Sequence, residues 1–131
     1  MTAEPGDKEA GTTTLESIII LPLILGFFLV VLQFALVAHA SNLAHQAATA
    51  AVAESRRSTG TAAGGETRAQ ELLRQSGADV LLQGYQVSIT RNAQTTSVTV
   101  SGKAVSFVPW MNGIPVTETI SGPVERWVPR Q

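Results

Sequence analysis

The hydrophobic and polar positions of this chain pass through two periods, and each predicts a different element. From Ile18 to Ala40 the chain is apolar on every side, in the blocks Ile18-Ile19-Ile20-Leu21, Leu23-Ile24-Leu25 and Phe27-Phe28-Leu29-Val30-Val31-Leu32. A helix apolar all round belongs in a membrane or deep in a core. At helical rise the run reaches about 34 Å, against a bilayer hydrocarbon thickness of about 30 Å. Lipid cannot satisfy backbone N–H and C=O groups, so a single span there must be helical. Within it, Pro22 removes one backbone donor and is expected to kink or loosen the helix, which membrane helices tolerate. Gly26 adds a small surface where a second helix can approach.

The helical pattern continues beyond Ala40. Leu36, Leu43, Ala47, Ala50 and Glu54 recur at three-, four- and seven-residue spacings, and alanine dominates Ser41 to Arg57. This predicts one helix from Leu15 to Arg57, about 65 Å long. Its narrow alanine stripe suits packing against helices of other subunits, or else cover by the chain's own small domain. Ser58 to Gly65 reads as a flexible break. Thr67 to Ser76 predicts a short amphipathic helix with Ala69, Leu72 and Leu73 inward and Gly77 as its stop.

From Val80 the period falls to two. Tyr85, Val87 and Ile89 alternate with polar residues, Arg91-Asn92-Ala93-Gln94 is a turn, and Val98 and Val100 alternate again. Val105 and Phe107 extend the pattern, and Val116 to Ile120 offers a further strand. These predict a small antiparallel sheet with one buried face. Trp110 and Trp127 belong either to a small core or at the lipid headgroup level. The fold class is therefore α+β: a long N-terminal membrane helix, a short helix and a small antiparallel sheet. The expected organisation is a leader over 1–11, the long helix over 12–57 with its span at 18–40, a linker over 58–65 and an outer α+β domain over 66–131.

Composition narrows the chemistry. A formal charge of −1 leaves no basic footprint for nucleic acid, and the 131 residues include no cysteine. Disulfides, thiolate metal sites and a cysteine nucleophile are thereby excluded. His39 and His45 are six residues apart, not the three or four that set two imidazoles on one metal. No carboxylate pairs obviously with Asp79 or Glu118, and Gly64-Gly65 lacks the lysine of a phosphate loop. Neither Ser55 nor Ser58 has a nucleophile–base arrangement. An enzyme, a cofactor, a metal and a small-molecule substrate are all unexpected.

The informative polar residue is Glu16, at the mouth of the apolar run. A carboxylate there is solvated at the headgroup level, or lies near a helix N-terminus where the dipole favours it. A polar leader, Met1 to Ala10, precedes it; Pro5 and Gly6 predict that this leader is disordered. Gly11 stands five residues before Glu16. Together with Leu15-Glu16-Ser17-Ile18-Ile19-Ile20-Leu21-Pro22-Leu23, this pattern resembles the class III signal of type IV pilins, and more specifically TadE-like proteins, minor pseudopilins of tight-adherence (Flp/Tad) pili. The sharp part of the resemblance covers Gly11 to about Ala53.

The resemblance implies cleavage between Gly11 and Thr12 by a prepilin peptidase on the cytoplasmic side of a bacterial membrane. It also implies that Glu16 neutralises the amino terminus of a neighbouring subunit. Implied partners are the membrane, other pilin subunits and the Tad assembly machinery, with the C-terminal domain extracytoplasmic and the protein in or at the base of a pilus. Two positions depart from the family pattern: the leader is acidic where such leaders are basic, and Thr12 replaces a bulky apolar residue. Charge alone does not supply the orientation, because the nearest basic pair, Arg56-Arg57, lies beyond the span.

Two other readings follow from the residues. Ala38-His39-Ala40 before Ser41 fits a signal-peptidase site, which would release a small binding domain. The helix could equally remain an uncleaved single-pass anchor.

Overall fold

The structure, a computed structural model, describes residues 5–57 and 59–126, with side chains from Gly11 onward. The expectations placed on Met1 to Glu4, Ser58 and Trp127 lie outside the described residues. Three helices and three strands follow one another: α1 (Pro5–Ser55), α2 (Ala62–Gln75), α3 (Ala78–Leu81), β1 (Leu82–Arg91), β2 (Thr95–Ala104) and β3 (Ile114–Pro123). The α+β class read from the sequence is the observed one. Two compact units divide the chain, Met1–Phe34 and Ala35–Gln131.

In the first unit the helix starts earlier than expected. Pro5 opens α1 instead of disrupting it. Proline fits a first helical turn, where its missing N–H would have had no partner and its fixed φ is already helical. Further along, Pro22 sits inside the helix, leaving the Ile18 carbonyl without its usual donor. The large apolar side chains from Leu15 to Phe34 are exposed, and only 6% of the most apolar 18-residue window is buried. This part of α1 is a helix long and apolar enough to cross a membrane.

The second unit is built around the later part of α1. Ala40, Leu43, Ala44, Ala47, Ala48, Ala51 and Val52 are buried in one cluster with Ala69, Leu73, Leu82, Val98, Val100 and Val116. This corrects the stripe drawn from the sequence. Of that stripe only Leu43 and Ala47 are buried; Leu36, Ala50 and Glu54 are half-exposed. It also decides what the alanines meet: they pack on the chain's own sheet. Small side chains bring the helix backbone close to the strands, so an alanine-lined face serves a tight helix–sheet contact as well as a helix–helix one.

The C-terminus of α1 is tied down by the sheet. Arg91 at the end of β1 donates from Nε to the Ser55 carbonyl at 2.7 Å and from Nη2 to the Arg57 carbonyl at 3.4 Å. A guanidinium there satisfies orphan carbonyls and opposes the negative end of the helix dipole. The Glu125 N–H adds a bond to the Arg56 carbonyl at 2.7 Å.

The expected linker is shorter than the sequence suggested, because α2 takes in Ala62 to Gly65. Thr61 caps it, its Oγ1 accepting from the Gly64 N–H at 2.9 Å. Gly65 is buried, and a Cβ there would lie 2.9 Å from the Ala51 carbonyl oxygen and 3.0 Å from Ile89 Cδ1. Its bareness lets α2 close onto α1. At the other end Gly77, at φ 74°, takes the left-handed stop that glycine favours. The one-turn helix α3, absent from the sequence reading, follows at once.

The sheet is an antiparallel meander in the order β1-β2-β3. Val87 faces Val100 and Ile89 faces Val98 across β1–β2, while Val98 faces Ile120 and Val100 faces Glu118 across β2–β3. A bulge between Gln83 and Gln86 carries Gly84 at φ 60°. The β1–β2 turn is where the sequence placed it: Asn92 Oδ1 accepts from the N–H groups of Gln94 and Thr95 at 2.9 and 2.7 Å. Val105 and Phe107 are not strand. β2 ends at Ala104, the Val105 N–H turns to the Leu81 carbonyl at 3.3 Å, and Ser106 Oγ accepts from the Val108 N–H at 3.1 Å. Those local bonds replace a ladder. Edge strand β3 is bracketed by Pro115 and Pro123, which an edge tolerates because a missing N–H can face away from the ladder.

Candidate functional site

The residues singled out by the sequence lie along the first unit. Gly11 and Thr12 sit in a helical stretch of α1 and are exposed. Glu16 is exposed one turn further on and is part of none of the ion pairs among the described residues. Pro22 and Gly26 are exposed on the same helix, and a side chain at Gly26 would meet nothing within 4 Å. Gly11, Thr12, Glu16, Pro22 and Gly26 thus all lie on the part of α1 that belongs to the first unit.

Gly11-Thr12-Thr13-Thr14 combines glycine with three β-branched residues, all poor helix formers. This stretch of α1 has little intrinsic reason to stay wound. From Leu15 on, the long apolar side chains favour the helix, and Glu16 marks the boundary between the two regimes.

Ionisable groups in the second unit form surface pairs. His45 Nδ1 lies 3.6 Å from Glu118, Arg57 Nη1 3.4 Å from Glu54, and Arg56 Nε 3.8 Å from Glu125. The His45–Glu118 contact was not foreseen. The strand register could have suggested it, since Glu118 occupies a position on the helix-facing row of β3 where an apolar residue is the norm. Burial, followed by the neighbouring Asp79 carboxylate, which also hydrogen-bonds it, raises the Tyr85 phenol above its ordinary value.

The outer face of the sheet carries polar rows that are uncharged around Ser97, Thr99, Thr119 and Ser121. Thr99 and Thr119 share a hydroxyl hydrogen bond at 3.0 Å, and Ser121 Oγ donates to Ser97 Oγ at 3.0 Å. Near the bulge this face forms a shallow, open depression lined by Gln83, Gln86, Ser101, Lys103, Asn112 and Thr117. Its lining offers amides, hydroxyls and the Lys103 ammonium as contacts for water or polar ligands.

These features define a membrane-capable helix carrying a small α+β domain. Residues 11–53, about a third of the chain, match the family model of TadE-like protein, so this part of α1 is similar to that family. No curated protein and no solved structure matches the chain.

Proposed function

We propose that this protein is a non-catalytic, membrane-anchored minor pilin or assembly subunit of a tight-adherence pilus, cut between Gly11 and Thr12 by a prepilin peptidase. The observation that carries this reading is a coincidence of boundaries. The TadE-like match begins at Gly11 and runs through the exposed apolar part of α1, with Glu16 five residues in. Cleavage at Gly11 would leave Thr12 as the new amino terminus. A peptidase must draw the chain into an extended form, and the poor helix formers from Gly11 to Thr14 make local unwinding cheap there.

Glu16 then pairs with the amino terminus of an adjacent subunit. In low dielectric such a pair is worth far more than in water, and either charge left alone is penalised. Contacts between subunits run through the span, where Pro22 and Gly26 loosen and thin the helix. They do not need the alanine face, which is occupied within the second unit. The outer domain lies on the extracytoplasmic side of a bacterial membrane, in or at the base of a filament.

The released-domain reading is disfavoured by Ala40, a fully buried residue in mid-helix. A cut after it would sever the helix inside the packed part of the unit. The alanine-rich stretch itself does not separate the readings, because a released domain would also need it for its core.

The test is the N-terminus of the membrane-purified protein, measured by intact mass with and without Gly11→Ala. A start at Thr12 that disappears in the variant supports processing of the pilin type. A start at Ser41 would make this a secreted domain. A start at Met1 or Thr2 would leave an uncleaved anchor and remove the assembly role of Glu16.

A further inference from the structure

C-terminal to the apolar run, the large hydrophobic side chains that are exposed among the described residues are Val80 at 69%, Phe107 at 52%, Trp110 at 83% and Met111 at 41%. All four belong to one end of the second unit. Val80 is in α3, and the other three are in the β2–β3 loop. The two segments are adjacent, since the Val105 N–H bonds the Leu81 carbonyl and Leu82, Ala104 and Ile114 lie in register across the three strands.

Contacts with α1 identify which end this is. Ser55 Oγ bonds Thr96 Oγ1 at the start of β2, Val52 lies over Gly122 near the end of β3, and His45 reaches Glu118 in mid-strand. Moving back along the helix from Ser55 to His45 thus moves along the sheet toward Ala104 and Ile114. Continued in the same direction, this course carries the start of the second unit, Ala35 to Ala40, toward the end of the sheet that bears the exposed loop. The segment from Ala104 to Thr117 contains no charged residue, while Lys103 just precedes it.

We propose that the β2–β3 loop is a second membrane contact: Trp110, Phe107 and Met111, with Val80 beside them, enter the headgroup–acyl boundary of the same bilayer that holds the span. This rests on the membrane-anchored reading above. Its occupant follows from position and chemistry. An indole with an apolar body and one N–H donor favours the interface, a loop without charges enters it without desolvating an ion, and the Lys103 ammonium remains at headgroup level. Asp79, next to Val80, is exposed.

The full-length protein in phosphatidylcholine–phosphatidylglycerol nanodiscs tests this, with Trp127→Phe leaving Trp110 as the sole indole. A parallel reporter carries Phe28→Trp with Trp110→Phe and Trp127→Phe. Brominated acyl chains should quench most of the emission of both, and aqueous iodide should quench little of either. Quenching of the Phe28→Trp reporter with Trp110 still open to iodide would overturn the loop contact and leave the membrane reading intact. Trp110 shielded from both quenchers would place a protein surface over the loop and also overturn it. A Phe28→Trp reporter insensitive to brominated lipid would remove the membrane reading and this contact with it.

Discussion

Ser55 Oγ and Thr96 Oγ1 lie 2.8 Å apart, both fully buried, forty-one positions apart in sequence. They join the end of α1 to the first residues of β2. Ser55 has a second outlet, the Val52 carbonyl at 3.3 Å. Removing one partner therefore has unequal effects. Ser55→Ala strands the Thr96 hydroxyl and should cost about 1–3 kcal/mol, whereas Thr96→Val leaves Ser55 bonded and should cost about 1 kcal/mol. Urea midpoints of the two single variants and the double in detergent micelles give the coupling; equal single losses would contradict the asymmetry.

Adjacent glycines in α2 should respond oppositely. Gly65→Ala places a methyl against the Ala51 carbonyl oxygen and Ile89, and overpacking of about 1–3 kcal/mol outweighs a helix-propensity gain of about 1 kcal/mol. Gly64 faces only Thr61 Oγ1 at 3.1 Å and the Glu54 side chain at 3.9 Å. Gly64→Ala should stay within about 0.5 kcal/mol of the parent. Thermal melts of the two variants read the difference.

The alanine face gives a sharper test of what it touches. Ala47 is fully buried within one chain, so Ala47→Leu should destabilise the monomer by about 1–3 kcal/mol. Exposed Ala53→Leu should be near neutral. If the face served only contacts between subunits, Ala47→Leu would leave monomer unfolding unchanged and alter assembly alone.

Tyr85 is the sole tyrosine, so tyrosinate absorbance follows it without interference. Its folded pKa is raised from 10.0 by burial and then by Asp79. The unfolded chain therefore gives up this proton first as pH rises. The corresponding stability is whole below pH 10.0 and is lost as pH climbs through the folded value. Tyr85→Phe should flatten that part of the alkaline decline, and Asp79→Asn should lower the absorbance midpoint toward the ordinary value.

Legibility in the sequence tracked how local each determinant was. The apolar run, the period-two strands and the Asn92 turn depend on near neighbours and were readable. Gly64-Gly65 looked like linker because two glycines signal freedom; only the approach of Ala51 and Ile89 shows that Gly65 is bare for packing. Thr61 was the available cue to the helix start. Val105 and Phe107 continued the strand alternation, but Leu81 and Ser106 supply bonds that no periodicity records. The alanine face was visible, while its partner, a sheet formed some fifty residues later, was not. Gly11, Thr12 and Glu16 stand out by their spacing alone.

The two prolines of β3 have a consequence for crowding. Proteins held in a bilayer diffuse in two dimensions, so neighbouring copies meet often and in similar orientations. An unguarded strand edge under those conditions invites sheet-to-sheet polymerisation. With Pro115 and Pro123 at its ends, β3 leaves only a short interval of donors between them. That edge of the sheet is then a poor template for strand addition by a second sheet.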